Sequence, residues 1–382
     1  MKIVYVYDCI ARIGGVERIL AEKMSYLADL LGYEVFLITT IQGKHPFSFP
    51  ISSKVRHIDL EVPFHHQYRY KYPLRLWKKW MLDRSFERKL NKVIKQINPD
   101  IIIGITYFKG DVICRINHNS RKIIESHNTR SSTGINDGYE RNKIIQWFYL
   151  NSRKTSQKII ENKCDVLVAL TNGDAQEWKT AKNVRVIPNI TTQQHQYNTE
   201  ARKIGTHAIS VGRLSYQKGF DRLINAWEIV KKKYPDWRVD VYGDEGELKQ
   251  QLEEQVLELN LSGEITIHPP TNKIMEKYQE YDFYVMSSRY EGWGLVLVEA
   301  MSCGIPCIAF DCPYGPSDII EHGKNGLLVK NGDIQGLADA ICWMIEHEEE
   351  RKQMGLTAKE TSKKYTPEVI MRQWDNLFKE II

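Results

Sequence analysis

Residues 282–301 read DFYVMSSRYEGWGLVLVEAM, and this stretch decides how the second half of the chain folds. The short run 282–286 is rich in aromatic and apolar residues, which predicts a buried strand. It is followed by a loop with two glycines and then by an apolar run that is long enough for a helix. A buried strand, a glycine loop and a helix together form one repeat of a parallel α/β sheet.

Similar short apolar runs recur along the whole chain, with helical patterns between them. In the second half they cover residues 208–212, 237–242, 264–267, 282–286, 306–310 and 326–329. In the first half they cover residues 3–7, 34–40, 101–105, 122–125, 165–170 and 184–187. Strands that alternate with helices predict a doubly wound parallel sheet, and two such series predict two domains.

The polar stretch 191–206 separates the two series and puts the predicted domain boundary near residue 195. The predicted domains are therefore residues 1–195 and residues 196–366, and each is of ordinary size for one hydrophobic core. Residues 367–382 have the pattern of one more amphipathic helix. The sequence leaves open whether this last helix packs against the second domain or returns to the first.

Composition excludes several classes of protein. Hydrophobic residues at 42% and charged residues at 26% exclude a disordered chain. No apolar stretch approaches the roughly 20 residues that cross a bilayer, and Asp8 interrupts the first apolar run, which favours a strand over a signal peptide. The seven cysteines are an odd number without zinc-finger spacing. We therefore expect a cytoplasmic protein without a metal site.

Two carboxylates in the 282–301 stretch are candidates for ligand binding. Glu291 lies in the loop, and Glu299 lies in the first turns of the following helix among leucine, valine, alanine and methionine. A carboxylate in such surroundings costs free energy unless it meets a partner. The paired hydroxyls of a ribose or a hexose are suitable partners. The alternative is a salt bridge to Arg213 or Arg289.

Glycines and helix starts follow several of the predicted strands, and ligands bind at these places in open parallel sheets. Gly292 and Gly294 leave their loop without side chains, Gly14 and Gly15 open the first helix, and Ser317 lies where another helix begins. Backbone N–H groups at a helix start favour a phosphate or another anion. A tight turn explains the first glycine pair about as well, and a simple helix cap explains Ser317. The absence of a G-x-G-x-x-G motif disfavours a nicotinamide enzyme.

Positive charge is concentrated in two places. Arg213 and Lys218 lie in the loop 212–219, GRLSYQKG, beside a predicted helix start, where a departing diphosphate needs cations. Two ordinary surface cations are the alternative. Residues 1–190 carry 31 Lys+Arg against 18 Asp+Glu, a net charge of +13, and the remainder has a net charge of −8. The first half is therefore expected to meet an anionic partner, although no motif indicates nucleic acid.

Together these residues resemble the retaining glycosyltransferases of family 4, which have the GT-B fold, and the resemblance covers nearly the whole chain. Five motifs match in order: the glycine pair 14–15, the loop 212–219, VYGDEG at 241–246, the E-x7-E pattern at 291–299 with AMSCGIP after it, and NGLLV at 325–329. The resemblance implies two Rossmann-like doubly wound domains that face a cleft. Ile190 is a departure, since the family commonly has glycine there, so the linker is expected to differ.

The resemblance also implies roles for individual residues. Glu291 contacts the transferred hexose, Glu299 contacts the ribose, and Arg213 with Lys218 contacts the diphosphate. The N–H groups of Gly294 and Leu295 hold the β-phosphate, and His127 faces the sugar from the first domain. The predicted site therefore has a catalytic set, Glu291, Arg213, Lys218 and His127, and a donor-binding set, Glu299, Gly292, Gly294, Leu295, Gly15, Gly243 and Ser317.

The predicted function is a retaining transfer of a hexose or N-acetylhexosamine from a nucleoside diphosphate sugar, with UDP preferred, to a saccharide acceptor. No metal or other cofactor is expected, since protein cations meet the diphosphate and the sequence has no D-x-D pair. The run 314–317, YGPS, resembles members that extend surface polysaccharides and lipid-linked oligosaccharides. A sugar-nucleotide epimerase and a non-catalytic nucleotide-sugar-binding subunit are the two alternatives.

A basic segment of the first half points to a membrane surface. Residues 69–95 carry ten Lys+Arg against two acids and are interleaved with five aromatic residues, Tyr70, Tyr72, Trp77, Trp80 and Phe86. Aromatic residues beside cations favour an anionic lipid interface. This predicts a peripheral protein on the inner face of the cytoplasmic membrane with a lipid-diphosphate-linked acceptor. The alternative is a solvated basic helix whose aromatic side chains face the protein's own core.

Overall fold

The computed structural model of the chain describes residues 1–12, 14–131, 143–191, 205–244, 246 and 248–382. The chain forms two compact units. One consists of Met1–Leu170, Asp174–Ile190 and Ile370–Ile382, and the other consists of Thr171–Gly173 and Thr191–Val369. Two sequence predictions concern residues outside the described ranges: the domain boundary near 195, and Glu245 of the 241–246 motif.

The first unit is built on a seven-stranded parallel sheet. Its strands are β1 Lys2–Tyr7, β2 Glu34–Thr39, β3 Arg56–Asp59, β4 Ile101–Ile105, β5 Arg121–Ser126, β6 Val166–Ala169 and β7 Val184–Val186. Their spatial order is β3-β2-β1-β4-β5-β6-β7. The order reverses between β1 and β4, and ligands bind at the carboxyl ends of strands beside such a reversal.

The second unit repeats this design with six parallel strands. They are β8 His207–Val211, β9 Arg238–Tyr242, β10 Ile265–His268, β11 Phe283–Met286, β12 Cys307–Asp311 and β13 Gly326–Lys330. Their order is β10-β9-β8-β11-β12-β13, so the reversal lies between β8 and β11. The loops that follow these two strands are the GRLSYQKG loop and the loop that contains Glu291.

Helices connect the strands of both units. They are α1 Gly15–Asp29, α2 Leu74–Ile97, α3 Gly110–Cys114, α4 Lys143–Lys163, α5 Asn172–Glu177, α6 Phe220–Lys231, α7 Lys249–Glu258, α8 Ile274–Tyr278, α9 Leu295–Ser302, α10 Pro316–Ile319, α11 Ile334–Glu346, α12 Glu348–Ser362 and α13 Pro367–Ile381. Within the described ranges, none of the helices is long and apolar enough to cross a membrane.

The predicted α/β class with two Rossmann-like parallel sheets is confirmed, and each of the predicted strands is present. The sequence missed β3, which reads RHID and lies at the edge of the first sheet. Two of its four residues are exposed and the other two are half-buried. An edge strand of this kind needs no apolar run, so neither composition nor period marks it.

The last helix, α13, packs within the first unit, which decides the question that the sequence left open. Its side chains Trp374 and Phe378 are buried. The hydroxyl of Tyr33, just after α1, donates a hydrogen bond to Asp375 of this helix. The helix thus returns from the end of the chain to cover residues near its beginning.

Candidate active site

Two loops of the second unit, one after β8 and one after β11, are bonded to each other. The backbone N–H of Arg289 donates to the carbonyl of Gln217 at 2.8 Å, and the hydroxyl of Ser287 donates to the carbonyl of Lys218 at 3.0 Å. Gly219 has a φ of +63°, and a Cβ there would lie 2.2 Å from the carbonyl oxygen of Ser287. Only glycine permits this approach.

Lys218 and Glu291 form an ion pair where these loops meet. The Lys218 Nζ lies 2.7 Å from Oε1 of Glu291, and the hydroxyl of Ser288 donates to the same oxygen at 2.6 Å. The side chains are 15% and 7% exposed. A Cβ on residue 212 would lie 3.1 Å from the stem of Lys218, so Gly212 leaves room for it. One point of the fold thus offers a cation for a phosphate and a carboxylate for hydroxyl groups.

The two arginines of these loops have other partners. Arg289 makes a bidentate ion pair with Asp221, with distances of 2.8 and 2.6 Å. The guanidinium of Arg213 is exposed and lies 3.5 Å from Oε1 of Gln217. For Glu291, the alternative of a salt bridge to Arg213 or Arg289 is therefore not the arrangement found. An exposed guanidinium can reorient toward an anion at little cost.

Helix α9 follows the Glu291 loop and carries Glu299 in its interior. The helix begins after Gly294, which has a φ of +95°. The first N–H groups of a helix, including that of Leu295, have no acceptor within it, which suits them to a phosphate. Glu299 is buried. Burial and the nearby charges of Glu291 and Glu299 raise the pKa of Tyr284, so the two carboxylates act on one side chain.

A third loop, which follows β12, holds the backbone of Glu291 from the other side. The N–H of Glu291 donates to the carbonyl of Pro313 at 2.9 Å, and the N–H of Tyr314 donates to the carbonyl of Glu291 at 3.0 Å. Gly315 has a φ of +116°, and a Cβ there would lie 2.2 Å from the carbonyl oxygen of Trp293. Three loops therefore fix the position of Glu291.

The remaining residues of the predicted donor-binding set lie in loops or at helix starts. Ser317 is exposed in the short helix α10, Gly15 is the exposed first residue of α1, and Gly292 is half-buried beside Glu291. Gly243 has a packing role, since a Cβ there would lie 2.5 Å from the carbonyl oxygen of Gly212. Their contacts with a donor, like the other predicted contacts of the site, stay predictions.

In the first unit, His127 ends a chain of buried polar groups. Its Nε2 lies 3.0 Å from Oε2 of Glu125, and both oxygens of Glu125 accept from the Lys23 ammonium at 2.7 Å. Burial alone would raise the pKa of Glu125, but Lys23 and His127 outweigh burial and lower it to about 2. The ionised carboxylate only accepts, so Nε2 of His127 is the donor.

The other ring nitrogen of His127, Nδ1, is buried and has no hydrogen-bond partner among the described residues. In the neutral ring this atom is an acceptor, because Nε2 carries the proton that is donated to Glu125. A ligand hydroxyl can donate to it. The ring is thus fixed in one tautomer by the carboxylate behind it.

The C-terminal helix also contacts this network. The Nζ of Lys23 lies 3.6 Å from the centroid of the Trp374 ring on α13. A buried ammonium over an aromatic face gains electrostatic stabilisation. The side chains of Lys23 and Glu125 are only 3% and 1% exposed. The end of the chain therefore helps to seal the groups that orient His127.

The first glycine pair lies beside another carboxylate of the chain. Glu17, in the first turn of α1, is buried and accepts a hydrogen bond from the hydroxyl of Tyr7 at 2.9 Å. A Cβ on Gly14 would lie 2.2 Å from Oε2 of Glu17. This carboxylate already meets the positive end of the helix dipole. The loop is therefore better suited to a ligand with hydroxyl groups than to a phosphate.

Sequence analysis missed four polar residues that support the first unit: Lys23, Glu125, Glu17 and Tyr7. Two signals were present. Lys23 lies three residues after Leu20 and four before Leu27 on the buried face of α1, and Glu125 interrupts an apolar strand two residues before His127. Side chains two residues apart in extended backbone share a face. Across the described residues, no group of three His, Cys, Asp or Glu side chains could hold a metal ion.

Comparison with known proteins assigns both halves of the chain. Residues 13–191 match the family described as Glycosyltransferase Family 4, and residues 193–361 match Glycosyl transferases group 1. An uncharacterized glycosyltransferase of Haemophilus influenzae is 27% identical over 95% of this chain and 96% of its own. A poly(ribitol-phosphate) alpha-N-acetylglucosaminyltransferase of Staphylococcus aureus is 32% identical over 59% of this chain and 46% of its own, so this alignment spans under half of that protein.

The fold has close structural neighbours. The crystal structure of Staphylococcus aureus TarM in complex with Fondaparinux, alpha-GlcNAc-glycerol and UDP superposes with a TM-score of 0.75 at 17% identity, over 99% of both chains. At this identity the likeness concerns the fold alone. The parallel sheets, the matched families in both halves and the structural neighbours agree, and the chain belongs to the family 4-like glycosyltransferases of the GT-B fold.

Proposed function

We propose that this glycosyltransferase moves a hexose or N-acetylhexosamine from a nucleoside diphosphate sugar, with UDP preferred, to a saccharide acceptor with retention of configuration. The observation that carries the proposal is the Lys218–Glu291 pair, in which a cation and a carboxylate lie 2.7 Å apart. In such a donor the diphosphate and the sugar are directly bonded. A site for it needs these two kinds of group side by side.

In the proposed reaction the protein stabilises the leaving diphosphate. Lys218, Arg213 and the N–H groups at the start of α9 meet the negative charge that develops when the bond from the anomeric carbon to the phosphate oxygen breaks. The acceptor oxygen bonds to the anomeric carbon from the same face, and its proton passes to the departing phosphate. Glu291 holds sugar hydroxyls and positions the ring. Glu299 binds the ribose.

The names of the relatives support the choice of donor and stereochemistry. The Staphylococcus aureus relative is by name an alpha-N-acetylglucosaminyltransferase that acts on a poly(ribitol-phosphate), and the TarM complex contains UDP. An α-configured donor that gives an α-configured product requires retention. We infer that the second unit binds the donor and the first unit binds the acceptor, for which a saccharide on a lipid diphosphate is our proposal.

The direct test is a panel of UDP- and GDP-sugars, with product analysis in the presence and absence of saccharide acceptors. We expect slow hydrolysis of a UDP-hexose or a UDP-N-acetylhexosamine in water and faster transfer when an acceptor is added. Formation of an epimerised nucleotide sugar without acceptor would instead identify an epimerase. Binding of the donor without any turnover would identify a binding subunit.

Metal independence is part of the proposal, because Lys218 and Arg213 already supply positive charge for the diphosphate. Turnover is expected to survive an excess of EDTA, because no step of the proposed reaction uses a metal ion as a Lewis acid. A matched reaction with a metal-dependent enzyme checks that the chelator works. Loss of turnover with EDTA and recovery with manganese or magnesium would refute this part.

We also propose that the protein works at the inner face of the cytoplasmic membrane. The net charge of +13 in residues 1–190 supports this, since the surface of that leaflet is anionic. A lipid-linked acceptor would keep the growing saccharide at the same surface.

A further inference from the structure

Residues 68–81, which we call the aromatic–basic segment, form an unusual surface of the first unit. Eight of the eighteen large hydrophobic side chains exposed among the described residues lie in these fourteen positions: Tyr68, Tyr70, Tyr72, Leu74, Leu76, Trp77, Trp80 and Met81. Single exposed apolar residues are normal, whereas a contiguous patch marks an interaction site. The segment is therefore a candidate docking surface.

Helix α2 explains why these side chains are exposed. Its buried residues are Leu82, Phe86, Leu90 and Ile94, which recur every four positions and hold the second part of the helix against the sheet. None of its residues before Leu82 is buried. The first two turns thus project from the core, with Trp77 59% and Trp80 54% exposed. Of the five aromatic residues in the longer basic stretch 69–95, Phe86 alone is buried in the protein's own core.

The charge of the segment has one sign. It contains five cations, Arg69, Lys71, Arg75, Lys78 and Lys79, and no Asp or Glu. The Arg75 guanidinium lies 4.4 Å from the ring centroid of Tyr68 and 5.3 Å from that of Tyr72. The Arg84 guanidinium lies 5.3 Å from the Trp80 ring. Rings and cations are thus interleaved, as in protein segments that lie in lipid headgroups.

We propose that the aromatic–basic segment docks this protein on an anionic lipid surface, with Trp77 and Trp80 entering the headgroup region and the five cations meeting lipid phosphates. The inference rests on the proposed function only for the reason why the protein would dock. Docking itself can be measured separately, because vesicle binding needs neither donor nor acceptor. A nucleic acid would meet the same cations. It would leave the exposed leucines and Met81 without a partner, which favours lipid.

The first experiment measures partition of the full chain onto vesicles of phosphatidylcholine, with and without phosphatidylglycerol. Wild type is expected to bind the anionic vesicles at low salt and to be released at high salt. Lys78→Glu with Lys79→Glu is expected to weaken binding at least about 25-fold, since each cation near the surface contributes about fivefold. Lys92→Glu with Lys95→Glu makes the same charge change at the far end of α2 and is the matched control, expected to bind within about threefold of wild type.

The second experiment tests insertion of the aromatic rings. Brominated phosphatidylcholine in anionic vesicles is expected to quench tryptophan fluorescence, and Trp77→Phe with Trp80→Phe is expected to remove most of this quenching. Trp147→Phe, at another exposed tryptophan, is the control and should leave it. All of these side chains are exposed or only partly covered, so we expect each variant to remain folded. Thermal melting of each variant checks this.

Several outcomes would overturn the inference. They are equal binding to neutral and anionic vesicles, no binding at low salt, an equal loss in the Lys92 and Lys95 control, or binding to an oligonucleotide without binding to vesicles. Donor hydrolysis is measured on the same variants. Retained hydrolysis together with lost vesicle binding supports docking as a separate property. Vesicle binding by a chain that hydrolyses no nucleotide sugar would leave docking in place and refute only the proposed function.

Discussion

Each unit contains a lysine–glutamate pair with an N–O distance of 2.7 Å, and the two pairs differ in what surrounds them. Lys23 and Glu125 are sealed under the C-terminal helix, with exposures of 3% and 1%. Lys218 and Glu291 lie among three loops, with exposures of 15% and 7%. The second pair is thus more open to solvent than the first. The comparison teaches that one chemical pair can be sealed to orient a histidine in one place and left partly open in another, where we propose that a ligand binds.

The largest expected effect is on stability, when the sealed pair is broken. Glu125→Ala leaves the Lys23 ammonium buried without a counter-ion, which is expected to lower the free energy of unfolding by about 3–5 kcal/mol. Urea denaturation of wild type and variant measures the loss. A change below about 1 kcal/mol would mean that Lys23 reaches water or another partner, and that the pair does not support the fold.

A double variant separates the lost charge from the altered shape. Lys23→Met with Glu125→Gln removes both charges and keeps similar volumes, so its stability is expected within about 1.5 kcal/mol of wild type. His127 can still donate from Nε2 to the amide oxygen of the new glutamine. If the double variant were as unstable as Glu125→Ala, packing rather than an uncompensated charge would explain the loss.

Acid provides a second way to break the sealed pair. The pKa of Glu125 is about 2 in the folded chain, below its usual 4.5. The ionised carboxylate therefore stabilises the fold above pH 4.5, and this contribution of about 3 kcal/mol is lost as the pH falls toward 2. Wild type should lose about that much more stability than Glu125→Gln between pH 5 and pH 2, measured by urea denaturation. Parallel curves for the two proteins would contradict a lowered pKa.

The open pair is expected to affect turnover. Glu291→Gln and Lys218→Ala are each expected to lower turnover by about 100-fold or more, the scale for one positioned contact to developing charge. In free energy this is about 2.7 kcal/mol, smaller than the stability loss at Glu125. Steady-state kinetics with the donor found in the sugar panel measures it. Substantial turnover in both variants would remove these residues from the site.

Two controls sharpen this prediction. Lys352→Ala alters an exposed lysine that pairs with Glu348 in the same unit, and it should leave turnover unchanged. Glu299→Gln changes the carboxylate of α9, whose predicted ribose contact differs little between ground and transition states, so it should raise the KM for the donor more than it lowers kcat. A dominant fall in kcat for Glu299→Gln would place this residue nearer to the reacting bond.

The fold was largely predictable because its evidence is local. Each buried strand carries a short apolar run, and long helices such as α1 and α6 carry an apolar period of 3.6, so single segments reveal them. The edge strand Arg56–Asp59 was missed because its residues remain partly in water. The side to which α13 returns was also not predictable, since an amphipathic helix presents a similar apolar stripe to either sheet.

The residues proposed to bind the donor stand out in the sequence for a related reason. Glu291, Arg213 and Lys218 lie in glycine-containing loops that directly follow strands, and Glu299 lies in the helix after one of these loops. The type and spacing of their neighbours therefore mark them as candidates. The supports of His127 were missed, although the histidine itself was predicted. Lys23 and Glu125 lie 102 positions apart, and no pattern within either segment specifies the other.

The sequence by itself determined two parallel sheets, the glycine-rich loops at their carboxyl ends and the family to which the chain belongs, because these features arise from residues close together in the chain. Only the tertiary structure decided which charges meet. It paired Lys218 with Glu291 and Lys23 with Glu125. It also covered the Lys23–Glu125 pair with Trp374 and left the two tryptophans of helix α2 exposed. Such pairings depend on distances between segments remote in sequence, and burial sets how strongly each charge needs its partner.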